Sequence, residues 1–508
     1  FILLIFYMVR TRFAPSPTGF LHIGGLKTAL FAYLFARKNN GSFILRIEDT
    51  DQNRYVKGGM EQIIWSLKWV GISYDEGPDV GGQYGPYIQT QRKDIYQKFA
   101  IELINRGFAY YCFCSSERLN ELRKYQNEHH LPSKYDRHCL NLSKEEIKKR
   151  IENGEKYVIR MKIPDNEIIK FHDLIKGDVE FNSNELDDQI LIKSDGLPTY
   201  HFAVVIDDHL MNITHVIRAD EWLSSTPKHI LLYRYFGWDI PQYVHVPPIL
   251  GQDGKKKLSK REGSVSVNQF AEAGYLREGL INYLALLGWN PGTTEEIFTI
   301  DDLINRFDLN KCQKAGAIFD PKRLDWINGQ HIRKMTLEDF SNRVIEYVEN
   351  YKKDDKRFAK VLDSNDLVSR FMIIEKQRIN KLSEIEDDLY MLDFDYKYDI
   401  NGIFNAKMGV DKDNIKDILE KSIDFIQNKL IINYSVREDE ESKMKEEESI
   451  KQQFISFITD LKLKNGQVLW PIRFALSGKD KSAGVFELVW AIGKDETIKR
   501  INASIAKL

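Results

Sequence analysis

The chain has no apolar run long enough to cross a bilayer, no excess of either charge, few cysteines and no glycine- or proline-rich linker. Each absence removes a class of protein. The most apolar stretch, "FILLIFYMVR" at 1–10, falls short of the ~20 residues a span needs, and it has neither a basic leader nor a small-residue cleavage site, so neither an anchor nor a signal peptide is expected. Met8 opens "MVRTRFAPSP", and residues 1–7 are expected to be an upstream extension of the natural start. Lysine and arginine total 73 against 75 acidic residues, a formal net charge of -2, which excludes a uniformly basic coat for nucleic acid and confines any polyanion site to a local patch. Four cysteines in 508 residues exclude a disulfide scaffold. No internal repeat is present.

What remains is a large chain of ordinary composition, 43% hydrophobic and 29% charged, with room for three or four domains at ~100–200 residues each. Cys112, Cys114 and Cys139 lie within 28 residues of one another. In a chain that needs no disulfides such a cluster points to metal and a reducing compartment, so a cytosolic location is expected.

Side chains alternate over "VRTRFA" at 9–14, as in a strand, and "SFILRIED" reads as another behind the turn "NNGS". Between them Leu26, Leu30 and Leu34 recur at helical spacing. Strand, glycine loop, helix, strand is a βαβ unit, which calls for a parallel sheet with helices on its faces. Helices are expected near 58–70 and 92–106, the second with Ile95, Phe99 and Leu103 on one face and Gly107 as its stop. From 108 to about 198 the texture turns to short strands, the cysteines and a charged helix near 143–153. "YHFAVVIDD" at 200 reads as a strand returning to an interrupted sheet. Helical periodicity dominates after 330, and "REDEESKMKEEES" at 437–449 reads as a solvated helix or loop.

Two segments carry candidate chemistry. "LHIGGLKTALFAYLFAR" at 21–37 starts a helix with His22, Gly24 and Gly25. A helix N-terminus offers unpaired amides and partial positive charge, and glycines let an anion reach them, although a tight packing turn accounts for the same spacing. "GQDGKKKLSKREGS" at 251–264 is a cationic, glycine-flanked loop, which a solvated surface loop also explains. Its lysines suit a reaction in which negative charge builds on phosphates.

Together, more than 230 residues apart, the segments "FAPSPTGFLHIGG" and "KLSKR" resemble the first and second ATP motifs of the class I aminoacyl-tRNA synthetases, and closely those of the bacterial-type glutamyl-tRNA synthetases. Gly25 in place of a second histidine is similar to the bacterial glutamyl enzymes, and Leu258 replaces a methionine in the second motif. The resemblance reaches from Met8 to the closing segment. It implies an α/β fold: a Rossmann-type parallel-sheet catalytic domain in two halves, 8–93 and 200–246, with an inserted acceptor-end-binding domain at 94–199. A stem-contact region at 247–330 and an all-helical anticodon-binding region at 331–508 would follow.

The implied activity is attachment of L-glutamate to tRNA(Glu) through glutamyl-adenylate, with ATP and Mg2+. His22, Lys257 and Lys260 would be catalytic, and His22, Gly24, Gly25, Lys257, Ser259 and Lys260 would bind ATP. Arg12, Ala14, Ser16, Glu48, Tyr200 and Arg218 would bind glutamate, with Arg218 reading the side-chain carboxylate, Arg12 helping and Glu48 on the ammonium. Val204 stands where some members place an asparagine.

Zinc-bearing relatives have Cys-x-Cys followed by Cys-x-His, whereas here Cys139 is followed by Asn141. The resemblance implies one structural Zn2+ on Cys112, Cys114 and Cys139. The fourth ligand is open between Tyr135, His138 and one of His129 or His130, with Tyr135 preferred because a tyrosine so placed serves in a tRNA-modifying paralogue. Arg370, Lys376, Arg378 and Lys381 are candidates for an anticodon face, and a solvated basic helix accounts for them equally. A monomer without membrane contact is implied. The rival readings are a related class I ligase or nucleotidyltransferase and an inactive tRNA-binding paralogue; charging of tRNA(Gln) stays open.

Overall fold

The computed structural model describes residues 8–258, 265–393, 397–434 and 439–508. The chain divides into two units, Phe1–Phe270 with Leu280–Pro321, and Ala271–Gly279 with Lys322–Leu508.

The first unit is organised around helix α1, Ile23–Lys38. Its stripe of Leu26, Leu30 and Leu34 is fully buried, and so are Ala29, Phe31, Ala32 and Ala36 on the other faces. The helix is therefore enclosed rather than amphipathic, and each of its large apolar side chains contributes roughly 1.5–3 kcal/mol by burial. Strands β1 (Arg10–Phe13) and β2 (Ser42–Leu45) flank it and pair in parallel, with Arg10 opposite Ser42 and Phe13 opposite Leu45, which completes the expected βαβ unit.

Helices α2 (Gly59–Trp69) and α3 (Lys93–Asn105) follow, and Gly107 ends the second in a left-handed turn at φ +79°. Strand β3 (Ala109–Cys112), helices α4 (Ser116–Glu128) and α5 (Lys144–Glu152), and strand β4 (Val158–Met161) come next. Then come β5 (Ile168–Asp173), β6 (Gly177–Asn182) and β7 (Ile190–Ile192). Strands β3, β4 and β7 form an antiparallel sheet, whereas β5 and β6 join the catalytic layer through β9.

Residues 200–210 form helix α6, Tyr200–Leu210, and not the strand expected from "YHFAVVIDD". Phe202 to Asp208 are all buried, so the segment shows no polar face to betray a 3.6-residue period, and its β-branched run imitates a strand. The parallel sheet resumes one element later. Strands β8 (His215–Ala219) and β9 (Gln242–Val246) pair in parallel, with Arg218 opposite His245, and helix α7 (Thr226–Phe236) connects them. The sheet order is β6-β5-β9-β8, and Thr214 N–H donates to Arg10 O at 3.0 Å, which sets β1 beside the start of β8. The carboxyl ends of β1 and β8 thus open on one crevice, where parallel sheets place their ligands.

Short β10 (Ile249–Leu250) pairs with β11 (Ala317–Ile318), and helices α8 (Val267–Glu272), α9 (Arg277–Leu286) and α10 (Ile300–Arg306) lie between them in sequence.

The second unit is helical. It contains α11 (Pro321–Lys334), α12 (Leu337–Tyr351), α13 (Asp366–Arg378), α14 (Ile415–Asn428), α15 (Glu440–Asp460), α16 (Asn465–Ser477) and α17 (Val485–Ile505). Gly493 at φ +81° breaks α17. One core runs from Phe340 and Val344 of α12 through Phe371 and Ile374 of α13 to Leu488 and Ile501 of α17. Among the described residues no helix is long and apolar enough to cross a membrane.

Candidate active site

A cavity of about 1000 Å3 opens above β1 and β8. At one end of it His22 caps α1: its Nδ1 accepts from Gly24 N–H at 3.0 Å, so the ring proton sits on Nε2. Gly24 and Gly25 line the same wall. A Cβ on Gly25 would lie 3.1 Å from Leu21 Cδ1, so this glycine answers to internal packing as well as to close approach.

The second cationic segment reaches the same place. Leu258 N–H donates to Ile249 O at 3.0 Å, and Ile23 N–H donates to Val265 O at 2.9 Å, so the described residues on both sides of 259–264 border the start of α1 and β10. Lys257 and Leu258 line the cavity, and the half-exposed Lys257 ammonium pairs with Glu221. Ser259, Lys260 and Arg261 lie outside the described residues.

The other end is built on buried charge. Arg12, on β1, donates Nε–H to Asp208 Oδ1 at 2.9 Å, and Arg46, just after β2, pairs with Asp208 at 2.8 Å, Glu48 at 3.1 Å and Asp207 at 3.7 Å. Burial pushes the Glu48 carboxyl up to about 7 against the pull of Arg46 and Arg12. Burial also acts on Asp208, but there the two arginines prevail and hold it below its ordinary value. Arg12, Ala14, Ser16, Glu48, Tyr200 and Arg218 all line the cavity, but Arg12 is committed to an internal aspartate. Val204 is buried in α6 and is not among the lining residues.

Arg218 is different. It is buried, it lies 5.4 Å from the Tyr243 ring centroid, and no described carboxylate comes within ion-pair distance. All its acceptors are neutral: His245, His229, Thr226, the Tyr200 hydroxyl and the Trp222 carbonyl. A buried cation without a counter-charge is a demand for an anion. The cavity therefore offers both a carboxylate reader and a phosphate-friendly helix start on its walls.

These features fit the comparisons with known proteins. Residues 8–326 match the family described as "tRNA synthetases class I (E and Q), catalytic domain". The glutamate–tRNA ligase of Clostridium tetani is 46% identical over 501 residues, 98% of each chain. The chain belongs to the glutamyl-tRNA synthetases of class I. The corresponding ligase of Clostridium kluyveri is 47% identical over 501 residues, again 98% of each chain, and residues 339–505 match the "Anticodon binding domain" family. Solved glutamyl-tRNA synthetase structures share the fold. The Elizabethkingia meningosepticum ligase, described as in complex with its amino acid, has a TM-score of 0.86 at 36% identity and covers 99% of this chain and 100% of its own. That of Elizabethkingia anophelis has a TM-score of 0.83 at 37% identity, covering 98% and 99%.

Away from the cavity, the Sγ atoms of Cys112, Cys114 and Cys139 lie within 4.8 Å of one another. The Tyr135 hydroxyl sits 3.3 Å from both Cys112 Sγ and Cys114 Sγ, while His129, His130 and His138 are exposed. Arg160 lies over the Tyr135 ring at 4.0 Å, and Arg118 Nη1 reaches Cys114 Sγ at 3.6 Å. A hydrogen bond from Cys139, then those from Tyr135 and Arg160, hold the Cys112 thiol below its ordinary value despite burial. Three soft sulfurs and one oxygen at this spacing fit a tetrahedral zinc.

In the helical unit Lys376 is buried and pairs with Glu440 at 2.6 Å, and Arg378 pairs with Asp388 at 3.2 Å. Arg370 Nε–H donates to Ala491 O at 2.8 Å, and Lys381 pairs with Asp325 and Glu384 at 3.5 Å. Helix α13 and the residues just after it thus spend these cations on partners within the unit and do not present them as one basic face. Sequence reasoning passed over Arg46, Asp208, His229 and His245. Arg46 stood within the strand "SFILRIED", where a cation between apolar neighbours is a usable signal; the histidines had no pattern to find them by.

Proposed function

We propose that this chain joins L-glutamate to the 3' end of tRNA(Glu) in two steps. The glutamate α-carboxylate attacks the α-phosphorus of ATP and pyrophosphate leaves. The terminal ribose hydroxyl of the tRNA then attacks the acyl carbonyl of the glutamyl-adenylate, and AMP leaves. The observation that carries this reading is the buried, uncompensated Arg218 in one cavity with the glycine-opened start of α1.

Arg218 reads the side-chain carboxylate, Glu48 takes the ammonium, and Ala14, Ser16 and Tyr200 shape the pocket between them. Arg12 supports the same wall through Asp208. Glutamine is disfavoured because its neutral amide leaves the Arg218 charge unmet. His22 and the amides at Gly24 and Gly25 hold phosphate. Lys257 and Lys260 stabilise the pentavalent phosphorus and Ser259 binds ATP, so positioning and electrostatics carry the rate without a covalent nucleophile. Mg2+ carried in with ATP supplies further neutralisation of the phosphates.

A structural Zn2+ on Cys112, Cys114, Cys139 and Tyr135 would cross-link the turn regions after β3 and α4. The segment 94–199 grips the acceptor end, 247–330 contacts the stem and 331–508 reads the anticodon, the last of these supported by the anticodon-domain match at 339–505. The chain works as a cytoplasmic monomer.

Charging purified tRNA(Glu) with labelled glutamate tests the reading, with tRNA(Gln) charged in parallel to define the range. Absence of charging together with nucleotide binding but no ATP/pyrophosphate exchange would return the chain to an inactive tRNA-binding paralogue. Exchange without charging of any tRNA would favour a small-molecule ligase.

A further inference from the structure

Arg218 is held from two sides, and the sides differ. Toward the cavity it donates to the Tyr200 hydroxyl and the Trp222 carbonyl, both at 3.3 Å, and both residues form the cavity wall. Away from the cavity it donates to His245 Nε2 and His229 Nδ1 at 3.1 Å each and to Thr226 Oγ1 at 2.8 Å, and none of these three lines the cavity. The shorter bonds grip from behind. The longer ones, in front, are those an incoming carboxylate would replace.

A guanidinium has no lone pair to offer, so each imidazole nitrogen facing it must accept, and that fixes both tautomers. His245 then carries its proton on Nδ1 and donates it to Asp173 Oδ2 at 2.6 Å, with the backbone N–H of His245 bonded to the same oxygen at 3.0 Å. His229 carries its proton on Nε2 and donates it to His201 Nδ1 at 3.1 Å. The chain of bonds is consistent throughout from Asp173 to His201. Two neutral acceptors hold the arginine without cancelling its charge; a carboxylate in either place would have cancelled it, as Asp208 does for Arg12.

We infer that His245 and His229 are positioning residues that aim Arg218 at the substrate's side-chain carboxylate while leaving its charge unmet. The inference rests on the reading of Arg218 given above. The surroundings keep both rings neutral. His245, on β9, is lowered by burial and by Arg218 from β8, against Asp173 from β5 and Asp220 after β8, and the ring of Tyr243 on its own strand stacks at 6.0 Å. His229, on α7, is lowered by burial and by Arg218, His201 from α6, His245 and the adjacent Lys228; the Tyr200 ring of α6 also faces it, at 6.1 Å.

The test is glutamate-dependent ATP/pyrophosphate exchange near neutral pH, with KM measured separately for glutamate and ATP. His229→Leu and His245→Leu remove the acceptors; His229→Asn puts an amide oxygen near the Nδ1 position, and His245→Gln puts one near Nε2. The leucine variants should raise the glutamate KM about tenfold or more and leave the ATP KM within about twofold, the scale of one lost charge-assisted hydrogen bond. The amide variants should recover most of that loss.

In an Arg218→Gln background neither leucine substitution should raise the glutamate KM further. The inference is overturned if the glutamate and ATP KM rise together, if the amides do no better than leucine, or if the leucine effects persist without the arginine. Arg218→Gln with an unchanged glutamate KM would instead overturn the reading of the arginine itself. If His245→Leu fails to fold, His229→Leu, on a different element, carries the same comparison.

Discussion

Replacing Arg46 with methionine tests how the buried charges share one another. Arg46 makes three ion pairs, and three additive losses at ~3–5 kcal/mol per broken buried pair would unfold the first unit outright. The geometry predicts much less. Asp208 keeps Arg12 at 2.9 Å, and Asp207 keeps Arg92 at 2.7 Å together with Gln89 at 2.9 Å and the Tyr96 hydroxyl at 2.8 Å. Only Glu48 loses its near partner, and its carboxyl, already pushed up to about 7, protonates instead of remaining an orphan charge. With no charge left orphaned, the expected loss falls below the ~3–5 kcal/mol of a pair broken to strand a charge, at about 2 kcal/mol. Hydrogen exchange at the β1 and β2 amides reads it for this unit alone. A loss below about 1 kcal/mol, or a first unit that no longer folds, refutes the sharing, because the first means the pairs were idle and the second means they were additive.

Three further outcomes are expected. Because burial raises the folded carboxyl of Glu48, the proton is held more tightly in the native state. Its stabilisation is complete below the unfolded value near 4.5 and disappears as pH rises through about 7. Urea midpoints should therefore fall between those pH values by more in the unsubstituted chain than in Glu48→Gln; parallel profiles would contradict the assignment. Purified protein should carry about one zinc, with Tyr135→Phe weakening retention against a chelator and Cys112→Ser abolishing it; less than about half an equivalent counts against the site. Lys257→Met should slow exchange by about a hundredfold while changing stability by less than about 0.5 kcal/mol, since its pair with Glu221 is half-exposed, and Lys260→Ala should lower exchange by at least as much. Near-normal exchange in either variant would remove the second motif from the chemistry.

The elements that were legible in the sequence are those whose burial is one-sided or whose ends carry a stop signal. Helix α3 was read from Ile95, Phe99 and Leu103, of which Leu103 is buried and the other two half-buried, and from the stop at Gly107; β1 was read from its alternation, although all four of its residues are buried. Helix α1 was read from its leucine stripe, although the structure buries nearly every face of it. Helix α6 is enclosed likewise but has no repeating leucine stripe, and its β-branched run Val204, Val205 and Ile206 reads as a strand. The glutamate end of the cavity was legible by charge, because Arg12, Glu48 and Arg218 are residue types a dicarboxylate calls for. What anchors those residues was not. Asp208 and His245 act across 196 and 27 residues respectively, and no local pattern encodes a partner that distant. The cysteine triad was visible by spacing, yet the placing of Tyr135 among the sulfurs depends on the path of a turn.

The knot of Arg12, Arg46 and Asp208 also bears on the order of events during synthesis. Two of its members leave the ribosome early, and the aspartates that neutralise them follow more than 150 residues later. Until α6 has emerged, β1 and β2 would have to bury two cations with little more than Glu48 to balance them, so the nascent N-terminal sheet has reason to stay open and hydrated. Closure of the catalytic layer is thereby tied to translation of its second half, and a fragment ending before residue 207 should populate no native β1–β2 pair.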